Sequence, residues 1–118
     1  MSEERAKSSW PPELDALTAA PQHHKLLFEN ESVRVLDTCI PPGEQTNIHT
    51  HQWQASLYII GWSDFIRYDA DGNVMADSKI LGLHYSNGSA IWSGPLAPHS
   101  VKNTGKNELH VISVEIKK

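Results

Sequence analysis

From Lys25 onward, short apolar runs alternate with clusters of turn residues, and this spacing predicts strands rather than helices. Residues 26–28 predict a first short strand and residues 29–32 a turn. Residues 33–40 predict a longer strand, ended by Pro41-Pro42-Gly43. Residues 55–60 form the most apolar strand pattern. Residues 64–68 and 73–75 flank Asp69-Ala70-Asp71-Gly72, a hairpin signal. Residues 89–92 and 109–116 complete the set. Before this β-rich region the pattern differs. Residues 1–10 read as a flexible tail, and Pro11-Pro12-Glu13 predicts the opening of a short helix that runs to about Ala20, where Pro21 limits it. The expected division is therefore a tail and short helix over residues 1–24 and one β domain over residues 25–118. Many short strands and one minor helix predict an all-β fold, a small antiparallel barrel or sandwich.

Composition narrows the partners. The chain has 118 residues, a size for one domain, with 39% hydrophobic and 20% charged residues. A net charge of −4 argues against nucleic acid, whose backbone requires a cationic surface. No apolar run is long enough to span a membrane as a helix, and the charged N-terminus carries no signal-type apolar segment. The expected location is the cytoplasm. Cys39 is the only cysteine, so no internal disulfide can form; it reads as a small buried hydrophobe.

The candidate chemistry starts at His49 and His51. Two histidines at i and i+2 diverge around a helix but share one face of a strand. Two imidazoles on one face, joined by a third from a distant strand, can hold a metal inside a barrel. Gly43 precedes His49 by five intervening residues, and the later run Gly88, His99 and Asn103 answers it. Asn103, Gly43 and Gly88 read as backbone-shaping residues. His23 and His24 read as exposed residues before the first strand, His84 as a solvent-facing loop residue, and His110 as a core or interface histidine. The Asp69–Asn73 stretch lacks the later ligands of a calcium loop and reads as a plain turn.

Taken together, Gly43, His49 and His51, followed by Gly88, His99 and Asn103, resemble the two motifs of the cupin superfamily, in order, over roughly residues 33 to 116. The resemblance implies a small antiparallel β-barrel of the cupin, jelly-roll type, with a metal held by His49, His51 and His99. The family's glutamate ligand should fall at position 55 or 56, where this chain has Ala55 and Ser56. Gly94 and Leu96 also depart from the proline and glycine usual in the second motif. A three-histidine variant of the site is thus implied, with Gln54 or Ser56 as the residues nearest to replacing the lost carboxylate.

Such a site suits a divalent transition metal (iron, nickel, manganese, zinc, copper or cobalt), and losing the glutamate favours anionic small molecules. Two functions stay open. One is a metal-dependent enzyme of the dioxygenase type. The other is a non-catalytic barrel that binds a small ligand, its metal structural or lost. Tyr58, taken to share a face with Ser56, and Arg67 are the candidates for orienting substrate or steadying developing negative charge. Trp53, Phe65 and Trp92 are further candidates for the pocket wall. Barrels of this size commonly pair edges or faces, so a homodimer is expected.

Overall fold

A computed structural model describes residues 10–117 of the protein. The expected tail, apart from Trp10, lies outside the described residues. A 3₁₀ turn at Pro12–Leu14 leads into a one-turn helix, α1 (Ala16–Ala19), capped by Asp15, whose carboxylate accepts from the Leu17 amide. The strands follow as β1 (His24–Glu29), β2 (Val33–Ile40), β3 (His49–His51), β4 (Gln54–Gly61), β5 (Phe65–Asp69) and β6 (Val74–Asp77). A second one-turn helix, α2 (Ser78–Leu81), precedes β7 (Ala90–Ser93), β8 (Leu96–Asn103) and β9 (Leu109–Ile116). The sequence pattern did not predict α2. Its caps are nonetheless conventional, with Asp77 accepting from Lys79 and Ile80 and Gly82 turning left-handed at φ 68°. Among the described residues no helix is long and apolar enough to cross a membrane.

The strands form two sheets, one in the order β1-β2-β9-β4-β7 and one in the order β3-β8-β5-β6, with every neighbouring pair antiparallel. Strand β2 pairs with β9 without a break, from Val33 opposite Ile116 to Ile40 opposite Leu109. Alternation along these strands sends Arg34, Leu36 and Ile40 inward from β2, and Leu109, Val111, Ser113 and Glu115 inward from β9. The inner face is therefore partly polar. The outer face carries Val33, Val35, Ile112, Val114 and Ile116, all half-buried.

Asn103 locks one end of the barrel. It is fully buried, and its Nδ2 donates to the carbonyls of Ile40 (2.8 Å) and Asn107 (2.7 Å). Its Oδ1 accepts from the Ser63 hydroxyl (2.7 Å) and the Gly105 amide (2.9 Å). The structural reading of this residue therefore holds, and both ends of the amide are satisfied. Gly43 turns the chain beside it at φ 83°, a left-handed conformation that favours glycine, and its amide donates to the Asn103 carbonyl. Replacing Asn103 with alanine strands several buried polar groups at once, which predicts a loss on the order of 3 kcal/mol in urea unfolding. A loss below about 0.5 kcal/mol would mean that this lock contributes little.

Candidate metal centre

Strands β3 and β8 set His49 directly opposite His99. Their ring centroids lie 4.4 Å apart, and His51 lies 5.0 Å from His49 and 5.8 Å from His99. The three histidines expected from the sequence thus come together. A fourth joins them: His24, at the start of β1, sits 4.5 Å from His49 and 5.4 Å from His51. His24, His49 and His51 each bring one ligand nitrogen to within 4.8 Å of the others; His99, expected as the third ligand, is not in that group, although its ring packs against His49. The expectation that His24 is exposed is corrected here. It is buried because the segment after α1 folds back over the barrel mouth, and its Nδ1 meets the Ala20 carbonyl at 2.9 Å. The same correction applies to His23, whose side chain is only 9% exposed and meets the Glu44 carboxylate at 2.8 Å.

All four rings are oriented in the same way. The Nδ1 of His49 donates to the Asn47 carbonyl (2.7 Å) and that of His99 to the Ala97 carbonyl (2.7 Å). His24 donates to Ala20, and His51 donates to the Glu115 carboxylate at 3.0 Å. A carbonyl or carboxylate oxygen can only accept, so the hydrogen must sit on Nδ1. When these rings are neutral, each Nε2 is left with a lone pair. Fixing the tautomer through an outer acceptor is how metal-binding histidines are usually prepared. The donor set therefore fits a divalent transition metal.

The His51 support extends further. Glu115 is almost wholly buried and also accepts from Arg34 Nε at 2.6 Å. Arg34 then grips Asp15 through two nitrogens, each at 2.9 Å. Burial by itself would raise the Glu115 carboxyl, but hydrogen bonds from His51 and Arg34 outweigh it and hold it below the usual range. Asp15 follows the same logic, with Arg34 overcoming the cost of burial. Burial first, and then the neighbouring imidazoles, push His24 and His49 down to about 3, and burial likewise takes His99 to about 3.

The cluster lies at the wall of a cavity of about 460 Å³, within the range of small-molecule sites. Its other walls include Trp53, Leu57, Trp62, Phe65, Tyr85 and Val101. Arg67 also faces this space, whereas Tyr58 does not. On β4 the inward residues are Ala55, Leu57 and Ile59, while Gln54 and Tyr58 are exposed and Ser56 is half-buried beside the exposed Trp92. Tyr58 is 48% exposed, which removes it from the candidates for chemistry in the cavity. The assumed face was off by one position, and in a strand one position reverses the side. The inward residue where the family's glutamate is expected is Ala55, so neither Gln54 nor Ser56 replaces that ligand.

A second group of ligand-type side chains, Cys39, Glu108 and His110, lies on the β2–β9 outer surface, where Cys39 pairs with His110. His110 is a half-buried partner of Asp37 at 2.8 Å. Burial and the nearby carboxylates of Glu108, Asp37 and Glu44 push the Cys39 thiol up, so it remains protonated at neutral pH. Cys39 is half-buried, at the surface rather than in the core. His84 is exposed, as expected.

No protein-family model matches the chain, and no curated protein matches it. Solved structures do. A cupin domain from Bordetella pertussis Tohama I is 21% identical with a TM-score of 0.64, over 80% of this chain and 92% of that one. An RmlC-like cupin family protein with a double-stranded β-helix fold, from Methanocaldococcus jannaschii, is 18% identical with a TM-score of 0.55, over 79% and 77%. The polyketide cyclase RemF from Streptomyces resistomycificus is 16% identical with a TM-score of 0.51, over 80% and 64%. The chain is a cupin by fold, a double-stranded β-helix of two antiparallel sheets with short N-terminal helical turns. Its distinguishing feature is a buried group of histidines that could hold a metal ion.

Two outcomes follow from this geometry. In the metal-free protein, His24, His49 and His99 stay neutral down to about pH 3, but in the unfolded chain they protonate near 6.5. Between those values the unfolded state binds more protons, so stability is full above about pH 6.5 and falls as the pH drops toward 3. The lowered Asp15 and Glu115 carboxyls add to the loss at the acid end. Urea midpoints measured from pH 7 to pH 4 should fall steadily, and a flat profile would contradict the buried neutral rings. Separately, Glu115→Gln weakens the acceptor that orients His51, which predicts metal affinity lower by about 10- to 100-fold in a competitive chelator titration. Unchanged affinity would separate Glu115 from the metal centre.

Proposed function

We propose that this protein is a metal-dependent enzyme acting on a small molecule, most closely of the dioxygenase type. One observation carries the reading: four histidines with their Nδ1 hydrogens committed to fixed acceptors gather at the wall of a largely apolar cavity. His24, His49, His51 and His99 would hold the ion. Iron, nickel, manganese, zinc, copper and cobalt all accept imidazole. A bound ion would supply Lewis acidity and, in the case of a redox metal, oxygen chemistry.

The chain's own residues have separate tasks. The pair of Arg34 and Glu115 holds the His51 ring in place, and Ala20, Asn47 and Ala97 do so for the other three. The aromatic walls exclude water and receive an apolar body. Four neutral nitrogen ligands bring no negative charge, so a bound ion keeps its full positive charge toward the cavity. One solved relative by fold is a polyketide cyclase, which is consistent with small-molecule chemistry in such a barrel.

A non-catalytic ligand-binding cupin is the second reading, and Glu115 favours it. Glu115 is the one acid lining the cavity among the described residues, and it is taken up by Arg34 and His51. No free carboxylate is left there as a general base. Coordination number separates the two readings. Four histidines complete a tetrahedral zinc site, but they leave positions open on a five- or six-coordinate ion.

Metal content by mass spectrometry and nitric oxide binding to the iron(II)-loaded protein test both readings. The enzyme reading expects about one metal per chain, its loss in His49→Ala/His51→Ala, and an iron–nitrosyl EPR signal that reports an open position. A bound metal without that signal would favour a structural ion. Failure to take up iron, nickel, manganese or zinc would leave a ligand-binding barrel.

A further inference from the structure

We propose that Arg67 is the ligand-anchoring residue of the cavity and that its natural ligand is a monocarboxylate with an apolar, aromatic body. This rests on the reading of the cavity as a small-molecule site. Arg67 lies in the middle of β5, opposite Val101 of β8, and it faces the cavity with Phe65, Val101 and His99. It makes no ion pair with any described residue, and its buried Nε has no hydrogen-bond partner.

That isolation is unusual for a guanidinium. Buried charges are normally paired, and an unpaired one costs stability. Arg34, which lies behind the cavity wall at Glu115, illustrates the usual solution, with Asp15 and Glu115 both bound to it. Glu115 is thereby unavailable to Arg67, and the four rings that share the cavity donate from Nδ1 elsewhere. Burial pulls the Arg67 pKa down, yet an arginine remains charged at neutral pH. The cavity therefore carries one fixed positive charge that the described protein does not neutralise.

The shape of the charge selects the partner. A guanidinium offers two parallel N–H groups that match the two oxygens of a carboxylate. A phosphate dianion would need more donors than the apolar surroundings of Arg67 provide. The rest of the wall selects the body of the ligand. Trp62 meets Phe65 and Tyr85 edge-to-face, with ring centroids at 5.7 Å and 5.3 Å. All three rings line the same cavity as Arg67, which suits a flat apolar group. A carboxylate on Arg67 would also lie on the His99 side of the cavity, because Arg67 pairs with Val101, which shares its strand face with His99.

Calorimetric titration of benzoate and trans-cinnamate, against benzamide and trans-cinnamamide, tests the assignment on wild-type, Arg67→Gln and Arg67→Lys proteins, with and without zinc. The acids should bind wild type at least about tenfold more tightly than the amides. Arg67→Gln should erase that preference and Arg67→Lys should restore part of it, with zinc content per chain unchanged in both. Equal binding of acids and amides by wild type, no binding of either acid, or a preference that survives Arg67→Gln would overturn the assignment. Zinc uptake without an acid preference would leave the metal centre standing and remove the Arg67 role. An Arg67-dependent acid preference in a chain that takes up no metal would do the reverse.

Discussion

The buried carboxylate of Glu115 is the constraint around which the molecule is arranged. It is 1% exposed, and a charge so placed has to be answered from within. Arg34 answers from the same sheet and His51 from the other, so the one residue joins both layers of the barrel. Arg34 then binds Asp15, which also caps α1 and bridges to Thr50 beside the His49–His51 strand. The N-terminal segment is thereby tied across the barrel mouth, and that in turn delivers His24 to the cluster. Buried ion pairs of this kind rarely add stability over a well-packed apolar alternative. Their presence here makes sense through the His51 ring they hold.

The same logic accounts for the contrast between Arg34 and Arg67. Arg34 is fully partnered and serves the protein's own geometry. Arg67 is half-buried, and its buried Nε has no partner among the described residues. Polar groups placed against the stability of the apo chain concentrate at functional sites. The four histidines belong to that category as well, since keeping three of them neutral and buried exposes the fold to acid.

Much of the architecture was legible in the sequence. The strands over residues 33–40 and 109–116 have the expected bounds, because each is a long β-branched run closed by turn residues. That His49 and His51 share a face was legible from their spacing, and His99 was legible through the resemblance of its stretch to the second cupin motif. His24 was not. Its burial depends on a return of the chain after α1, set by contacts such as Asn47 with the Ala19 carbonyl that no local pattern reveals. Tyr58 was misplaced because the face of β4 could not be fixed without the register to β9, which turns Ala55 rather than Ser56 inward. Helix α2 was passed over although Asp77 and Gly82 are ordinary cap residues, because four residues offer no periodicity to read.

X-ray absorption spectroscopy at the metal edge of the cobalt(II)-loaded protein tests the central claim most directly. The account predicts a first shell of nitrogen with the multiple-scattering pattern of imidazole, four rings in wild type and three in His24→Ala. A shell dominated by water or carboxylate oxygen, or an imidazole count that does not change in His24→Ala, would contradict it.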